Sequence, residues 1–240
     1  MKEKYALVTG ASRGIGKAIA AALAKEGYHL ILTCRKSQEE LEKLKTELEK
    51  SYGITCRTFV GDIGDASFVE GMFSHIDTLD VLVNNAGISY IGLLSDMTQE
   101  EWDTVIRTNL TSVFYTCRLA SKIMVHQKYG KIINISSVWG TSGASMEVAY
   151  SASKGGVNAL TRALSKELAP SNIQVNALAC GVIDTDMNRC FSTEERETLT
   201  AEIPADRFGT PDDVAKALVS LLRAGTYLTG QIIHVDGGFL

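Results

Sequence analysis

Short apolar runs recur along the chain, each followed by a stretch whose apolar residues fall three and four apart. Tyr5-Ala6-Leu7-Val8-Thr9 has no polar alternation and stops at a glycine, which suits a strand buried on both faces. A helical pattern follows from Lys17 to Lys25, with Gly27 as its stop. His29-Leu30-Ile31-Leu32-Thr33 reads as a second strand. Ser37-Gln38-Glu39-Glu40 then predicts a capping box for a helix striped by Leu41, Leu44 and Leu48. Residues 54–60 and 79–83 give two more strands, and Asp65 is placed to cap a helix bearing Phe68, Met72, Phe73 and Ile76. Thr98-Gln99-Glu100-Glu101 predicts a second capping box and one long helix toward Gln127. Strands are expected at 131–136, 173–178 and 231–235. A helix through Tyr150 ends near Pro170, and a last one starts at Thr210-Pro211.

Strand–helix alternation over 240 residues, without linker or repeat, predicts one α/β domain (1–240). About seven strands would form a doubly wound parallel sheet with helices on both faces and ligands at the carboxyl ends of the strands. The stretch 183–207 has the weakest pattern and reads either as a mobile lid or as a surface helical excursion.

Composition narrows the function. A net charge of −4 argues against nucleic acid or an anionic membrane as partner. Five scattered cysteines (Cys34, Cys56, Cys117, Cys180, Cys190), never in CxxC spacing, suggest a reducing compartment with no zinc site. Met1-Lys2-Glu3-Lys4 leads straight into the first apolar run, with no signal-peptide pattern and no stretch of membrane-spanning length, so a cytoplasmic location is expected.

Two stretches carry candidate chemistry. Gly10-Ala11-Ser12-Arg13-Gly14-Ile15-Gly16 joins the first strand to the first helix, where backbone N–H groups and a helix N-terminus suit a phosphate. The spacing is G-x3-G-x-G, and a tight turn with glycines for close packing is the plainer reading. Tyr150 and Lys154, four apart, share one helical face. An ammonium there would lower the tyrosine from its ordinary value of about 10 and let it exchange a proton with a carbonyl or hydroxyl. A serine from a neighbouring strand end, Ser136 or Ser137, could hold the same oxygen. A surface aromatic beside a solvated lysine would show the same spacing.

Taken together, Thr9 to Gly16, Asn84-Asn85-Ala86-Gly87, Asn109, Ser137, and Tyr150 through Lys154, with Tyr150 thirteen residues after Ser137, resemble the short-chain dehydrogenase/reductases over nearly the whole chain. The match is greatest to the branch that reduces 3-oxoacyl thioesters on acyl carrier protein, through 132–138, 175–179 and the ending Gly230 to Gly238. The resemblance implies a Rossmann-type sheet, NADP(H) as cofactor, and carbonyl reduction in fatty acid synthesis. It implies that Ser137 binds the substrate carbonyl, Tyr150 donates the proton, Lys154 binds the nicotinamide ribose and lowers the Tyr150 pKa, and Asn109 holds a water relaying protons to Lys154. It gives the cofactor Gly10, Ser12, Arg13, Gly14, Ile15, Gly16, Arg35, Asp62, Ile63, Asn85, Ala86, Gly87, Ile183 and Thr185, besides Tyr150 and Lys154. Another ketone, sugar or steroid as substrate stays open, and so, less favoured, does a non-catalytic dinucleotide sensor. Cys180-Gly181 stands where the family has Pro-Gly, which predicts a looser cofactor loop. Of two basic positions used for docking the carrier, Lys128 is kept and Ser171 replaces the other.

Cofactor choice and assembly have sequence signals of their own. An NAD site places a carboxylate at the end of the second strand. Here Cys34 stands there with Arg35 and Lys36 behind it, so Arg13 and Arg35 could flank a 2′-phosphate. The helices around 105–125 and 151–168 carry Val113, Phe114, Val157 and Leu160 on more than one face, and Gly155-Gly156 would allow close approach. With the family's pairing of these helices, that predicts a homotetramer.

Overall fold

The computed structural model describes residues 3–188 and 191–240; Met1, Lys2 and Cys190, used in the reading above, lie outside them. The strands are β1 (Lys4–Val8), β2 (Tyr28–Cys34), β3 (Cys56–Val60), β4 (Val81–Asn84), β5 (Gly130–Ser137), β6 (Ile173–Cys180) and β7 (Ile232–Val235). They form one sheet in the order β3-β2-β1-β4-β5-β6-β7, parallel at every pairing. The expected doubly wound α/β architecture is the one observed, and the sheet is wholly parallel. Every residue of β4, β5 and β6 is buried, which is why these strands read as continuous apolar runs.

One core cluster packs α1 (Gly14–Lys25), α2 (Gln38–Tyr52) and α9 (Pro211–Arg223) through Ile19, Leu23, Leu41, Leu44, Leu48, Val214 and Leu218. On the other face α3 (Ala66–Phe73), α5 (Ser112–Gln127) and α7 (Val148–Leu168) bury Val69, Met72, Val113, Met124, Val157 and Leu168. The strand order reverses between β1 and β4, so the carboxyl ends of those two strands open a cleft, the usual ligand position in such sheets.

The helix starts divide by chemistry. Thr98 forms its capping box with Glu101 at α4 (Gln99–Ile106), and Thr210 forms one with Asp213 at α9, where Pro211 sits in the first turn. Asp65 caps α3 through Ser67 N–H. The box expected at Ser37 does not form: its ψ of 63° turns the side chain away from the helix, and no cap hydrogen bond is made. A capping hydroxyl reaches back to the helix from an extended backbone, and Ser37 does not have one.

The single long helix expected toward Gln127 is also corrected. A π-turn over Arg107–Thr111 separates α4 from α5, with Asn109 inside it. Two short elements were not foreseen. These are α6 (Trp139–Ser142), between β5 and α7, and a 3-10 turn at Leu94–Asp96. In 183–207 the chain forms a 3-10 turn at Asp186–Asn188 and α8 (Thr193–Glu202), capped by Ser192 with Glu195. No residue of α8 is buried, which explains its missing apolar stripe.

Candidate active site and cofactor cleft

The cleft wall nearest β1 is the glycine-rich turn, and its glycines answer to contacts. Gly10 and Gly14 take φ of +66° and +53°, in the left-handed region that favours glycine. A Cβ on Gly10 would meet Ala86 Cα at 2.9 Å, and one on Gly16 would strike the Gly10 carbonyl. The turn therefore packs directly on the segment leaving β4. Asn85 fastens the two together: its Nδ2 donates to the Thr9 and Gly10 carbonyls at 2.9 and 3.0 Å. The N–H groups of Asn85 and Ala86 both donate to Thr9 Oγ1 at 3.0 Å. Asn85 and Ala86, expected at the cofactor, thus build the turn that would hold it.

α1 begins bare. Arg13 at its N-cap makes no side-chain cap hydrogen bond and the first turn holds no acidic residue, unlike the acidic first turns of α2, α4, α8 and α9. Unpaired N–H groups at a positive dipole end suit a dinucleotide's phosphates. Ser12 is half-buried, Ile15 packs on the core, and the Thr185 methyl lies 3.5 Å from the Cβ position of Gly14. The fold therefore brings Thr185 onto the glycine-rich turn. Ile183 is buried, pairs with Gly209 and accepts Asn188 Nδ2 at its carbonyl, so neither its side chain nor its carbonyl is open to a ligand. Ile63 is likewise buried, in the core with Val69 and Met72.

Beyond the carboxyl ends of β2 and β1, Arg35 pairs with Asp62 at 3.2 Å and Arg13 with Asp186 at 3.5 Å, all four largely or partly exposed. Cys34 ends β2 buried, its thiol pushed up by burial. The two arginines expected to flank a phosphate are each matched to a carboxylate.

The chemical centre lies across β4, β5 and α7. Ser137 ends β5, paired with Cys180 of β6, and its Oγ accepts from Trp139 N–H at 3.2 Å. The Ser137 hydroxyl also acts on Tyr150, pulling the tyrosine pKa down. Lys154, buried on the same helix, lies with Nζ 5.7 Å from the Tyr150 ring centroid and donates to the Ile135 carbonyl at 2.8 Å. A Cβ on Gly87 would lie 3.4 Å from Asn109 Oδ1 and 3.5 Å from Lys154 Nζ. Ser137, Tyr150, Lys154, Asn109 and Gly87 are thus one constellation. Asn109, fully buried, clamps the chain after β4, accepting from Ile88 N–H at 2.9 Å and donating to the Ile88 carbonyl at 2.8 Å and Ser153 Oγ at 3.1 Å. Its carboxamide explains the π-turn, since such turns place a side chain that a regular helix would aim elsewhere.

Electrostatics correct one expectation. Burial drives the Tyr150 hydroxyl well above the ordinary tyrosine value; the downward pull comes from the Ser137 hydrogen bond, while Cys180 and Glu147 add to the rise. Lys154 does not supply the expected lowering, because its ammonium is turned to Ile135 and is itself pulled down to about 8 by burial. Cys180 is a buried thiol pushed up to about 12. The looser loop expected there is not seen: Val138 N–H donates to the Cys180 carbonyl at 2.9 Å and Gly181 N–H to the Val235 carbonyl at 3.0 Å.

A buried polar chain runs under the site through Asn84, the first residue of the Asn84–Gly87 run. Thr116 Oγ1 donates to Asn84 Oδ1 at 2.7 Å, Asn84 Nδ2 to Asn134 Oδ1 at 2.9 Å, and Asn134 Nδ2 to Thr161 Oγ1 at 2.9 Å. It ties α5 to α7 through the sheet centre, and such satisfied networks fix a single arrangement. The signal in sequence is Asn134, an amide inside Ile132-Ile133-Asn134-Ile135.

Residues 4–196 match the profile of the family described as short chain dehydrogenase. The chain is 43% identical over 240 residues to 3-oxoacyl-(acyl-carrier-protein) reductase FabG of Staphylococcus aureus, covering 98% of this chain and 97% of that one. It is 38% identical over 243 residues to the reductase of the same name from Aquifex aeolicus, covering 99% and 98%. Among solved structures, a variant of actinorhodin polyketide ketoreductase with NADPH superposes with a TM-score of 0.92 at 34% identity, covering 99% of this chain and 97% of that one.

Proposed function

The chain belongs to the short-chain dehydrogenase/reductases, oxidoreductases acting on CH–OH and C=O groups, and from that premise we propose that it is an NADPH-dependent reductase of 3-oxoacyl thioesters. The product is the 3-hydroxyacyl thioester, and the role is in fatty acid synthesis with acyl carrier protein as the presenting partner. The observation that carries the reading is the joining of the Ser137, Tyr150 and Lys154 group to a bare helix start at the same switch point. The reduced nicotinamide supplies hydride to the carbonyl carbon. Ser137 holds the carbonyl oxygen, and Tyr150, kept protonated by its burial, gives that oxygen a proton. Lys154 and Gly87 lie where the ribose side of the cofactor would rest, and Asn109 fixes the chain between them. A complete acid–base set argues against a non-catalytic sensor.

Apolar side chains support the acyl reading. Ile91, Leu93, Leu94 and Met146 are all about half exposed, and Gly92 N–H donates to the Met146 carbonyl at 2.8 Å, which holds the two loops together. Exposed apolar groups gathered at a cleft mark a binding surface. A ketone free of any carrier is the second reading, and one observation favours it. α8 carries Glu194, Glu195, Glu197 and Glu202 against Arg196 alone, and Ser171 is uncharged, which suits an acidic carrier poorly.

The test is turnover with NADPH and NADH against acetoacetyl thioesters on carrier protein and on a small thiol, beside a panel of ketones. Carrier-bound substrate is expected to give the highest kcat/KM. Equal efficiency with the small thiol would transfer the assignment to the second reading.

The homotetramer is likewise part of the proposal, on altered grounds. Val113 and Val157 turn into the core and Gly156 packs on Leu110, so none of these makes an outer face. Phe114 and Val125 remain about half exposed on α5, while a Cβ on Gly155 would lie 3.5 Å from the Gly140 carbonyl of the same chain. Light scattering at micromolar concentration is expected to give four chain masses, and one chain mass would sink the assembly.

A further inference from the structure

The loop after β4 and the loop before α7 are fastened together beside Tyr150. Ser89 Oγ donates to Glu147 Oε2 at 2.6 Å, a charge-assisted distance, and the Gly92 to Met146 backbone bond repeats the link three residues on. Asn109 holds the other end of this segment at Ile88. Glu147 stands three residues before Tyr150, is half-buried, and forms no ion pair among the described residues. Lys154 lies 5.7 Å from the Tyr150 ring, and Ser137 from β5, Cys180 from β6 and Glu147 from the loop before α7 each shift the Tyr150 pKa. Glu147 is the carboxylate in this group, held by Ser89 and without an ion pair among the described residues.

We propose that Glu147 is a specificity-determining residue: its carboxylate, fixed by Ser89 at the mouth of the site, turns away carbonyl substrates that carry a negative charge near the reacting carbon and so selects neutral ones. The proposal rests on the reading that the site reduces carbonyls. A like charge in a partly desolvated cleft repels more strongly than in water, and rejection by repulsion sharpens specificity without adding contacts for the favoured ligand. The same charge also opposes ionisation of Tyr150, in keeping with the upward shift noted above. A free 3-oxo acid would meet this carboxylate, and its ester or thioester would not.

Ethyl acetoacetate and acetoacetate test this, because they share one ketone and differ in charge. Glu147→Gln keeps an acceptor for Ser89 and removes the charge, whereas Glu147→Ala removes both. Glu147→Gln is expected to raise the kcat/KM ratio of acetoacetate to ethyl acetoacetate by about tenfold at low ionic strength, and by less in high salt. Glu147→Ala is expected to raise that ratio too, and to raise KM for both substrates as the strap opens. If Glu147→Gln keeps the wild-type ratio while Glu147→Ala weakens both substrates alike, the residue is a strap only and the proposal is overturned. Failure of the carbonyl-reductase reading would show separately, in a wild type that turns over neither compound. The charge is then read without turnover, by ultraviolet titration of Tyr150 against the matching Tyr150→Phe protein. A lower midpoint in Glu147→Gln supports the proposal, and an unmoved midpoint overturns it.

Discussion

Tyr150→Phe is expected to bind NADPH as the wild type does and to lose about a hundred- to ten-thousand-fold in turnover, the range of positioned acid–base catalysis. The variant removes one oxygen and leaves the ring in its place beside Lys154, so packing changes little. Ser137 keeps its bond from Trp139 N–H and remains in position to hold a carbonyl. What is lost is the proton donor. Fluorescence titration with NADPH measures the retained binding, and steady-state rates measure the loss. Rates within tenfold of wild type would show that the proton comes from elsewhere.

The direction of the Tyr150 shift adds a pH dependence. Burial raises the hydroxyl's pKa, so the protonated form persists to higher pH than in an ordinary tyrosine. Reduction needs that proton and is favoured through the neutral range. Oxidation of a hydroxy substrate needs the phenolate, so its rate is expected to climb with pH where reduction falls.

How far the sequence reaches can be judged from particular elements. β4, β5 and β6 were legible because strands buried on both faces are apolar over most of their length, and β1 because its buried half, Ala6–Val8, is apolar. The glycine-rich turn and the Tyr150–Lys154 pair were legible because their chemistry is local: a turn conformation and one helical repeat. The capping box at Thr98 and the threonine cap at Thr210 were local too, yet the same residue types at Ser37 misled, since side-chain identity does not set the ψ that decides whether the hydroxyl reaches the helix. The π-turn at Asn109 was half legible: an amide inside a helix competes for backbone hydrogen bonds and signals a distortion, but its partners Ile88 and Ser153 lie 21 and 44 residues away. The Asn84–Asn134 bond spans 50 residues and is made only once β4 and β5 pair. Helix α8 escaped periodicity because it buries nothing, although Ser192 and Glu195 spelled its cap. The Lys154 partner was also out of reach: spacing puts it on the tyrosine's face but does not show that the Ile135 carbonyl competes for its ammonium.

The end of the second strand should decide between the two nicotinamides, and Arg35→Ala is expected to lower kcat/KM for NADPH by about ten- to a hundredfold while NADH changes by less than about threefold. The range follows from losing one hydrogen-bonded charge contact, about 1.5–3 kcal/mol at roughly 1.4 kcal/mol per tenfold. The competing effect is the pair each arginine makes now. Arg35 with Asp62 and Arg13 with Asp186 are exposed pairs at 3.2 and 3.5 Å, of a kind worth about 0–1 kcal/mol. A 2′-phosphate, with more charge and three acceptor oxygens, outcompetes a single carboxylate for an arginine fork. Cys34, a buried neutral thiol, offers no repulsion to that phosphate and no acceptor carboxylate to a ribose hydroxyl. Cys34→Asp is therefore expected to move preference toward NADH. Arg13→Ala should act in the same direction as Arg35→Ala from the other side of the cleft. Asp62→Asn separates the two parts of the argument, because it frees Arg35 without removing it and should improve NADPH by a few-fold. Ratios of kcat/KM for the two cofactors check all four variants. A wild type that prefers NADH, or an Arg35→Ala protein with the wild-type ratio, would mean that Arg35 answers to Asp62 alone and that cofactor choice is made elsewhere in the cleft.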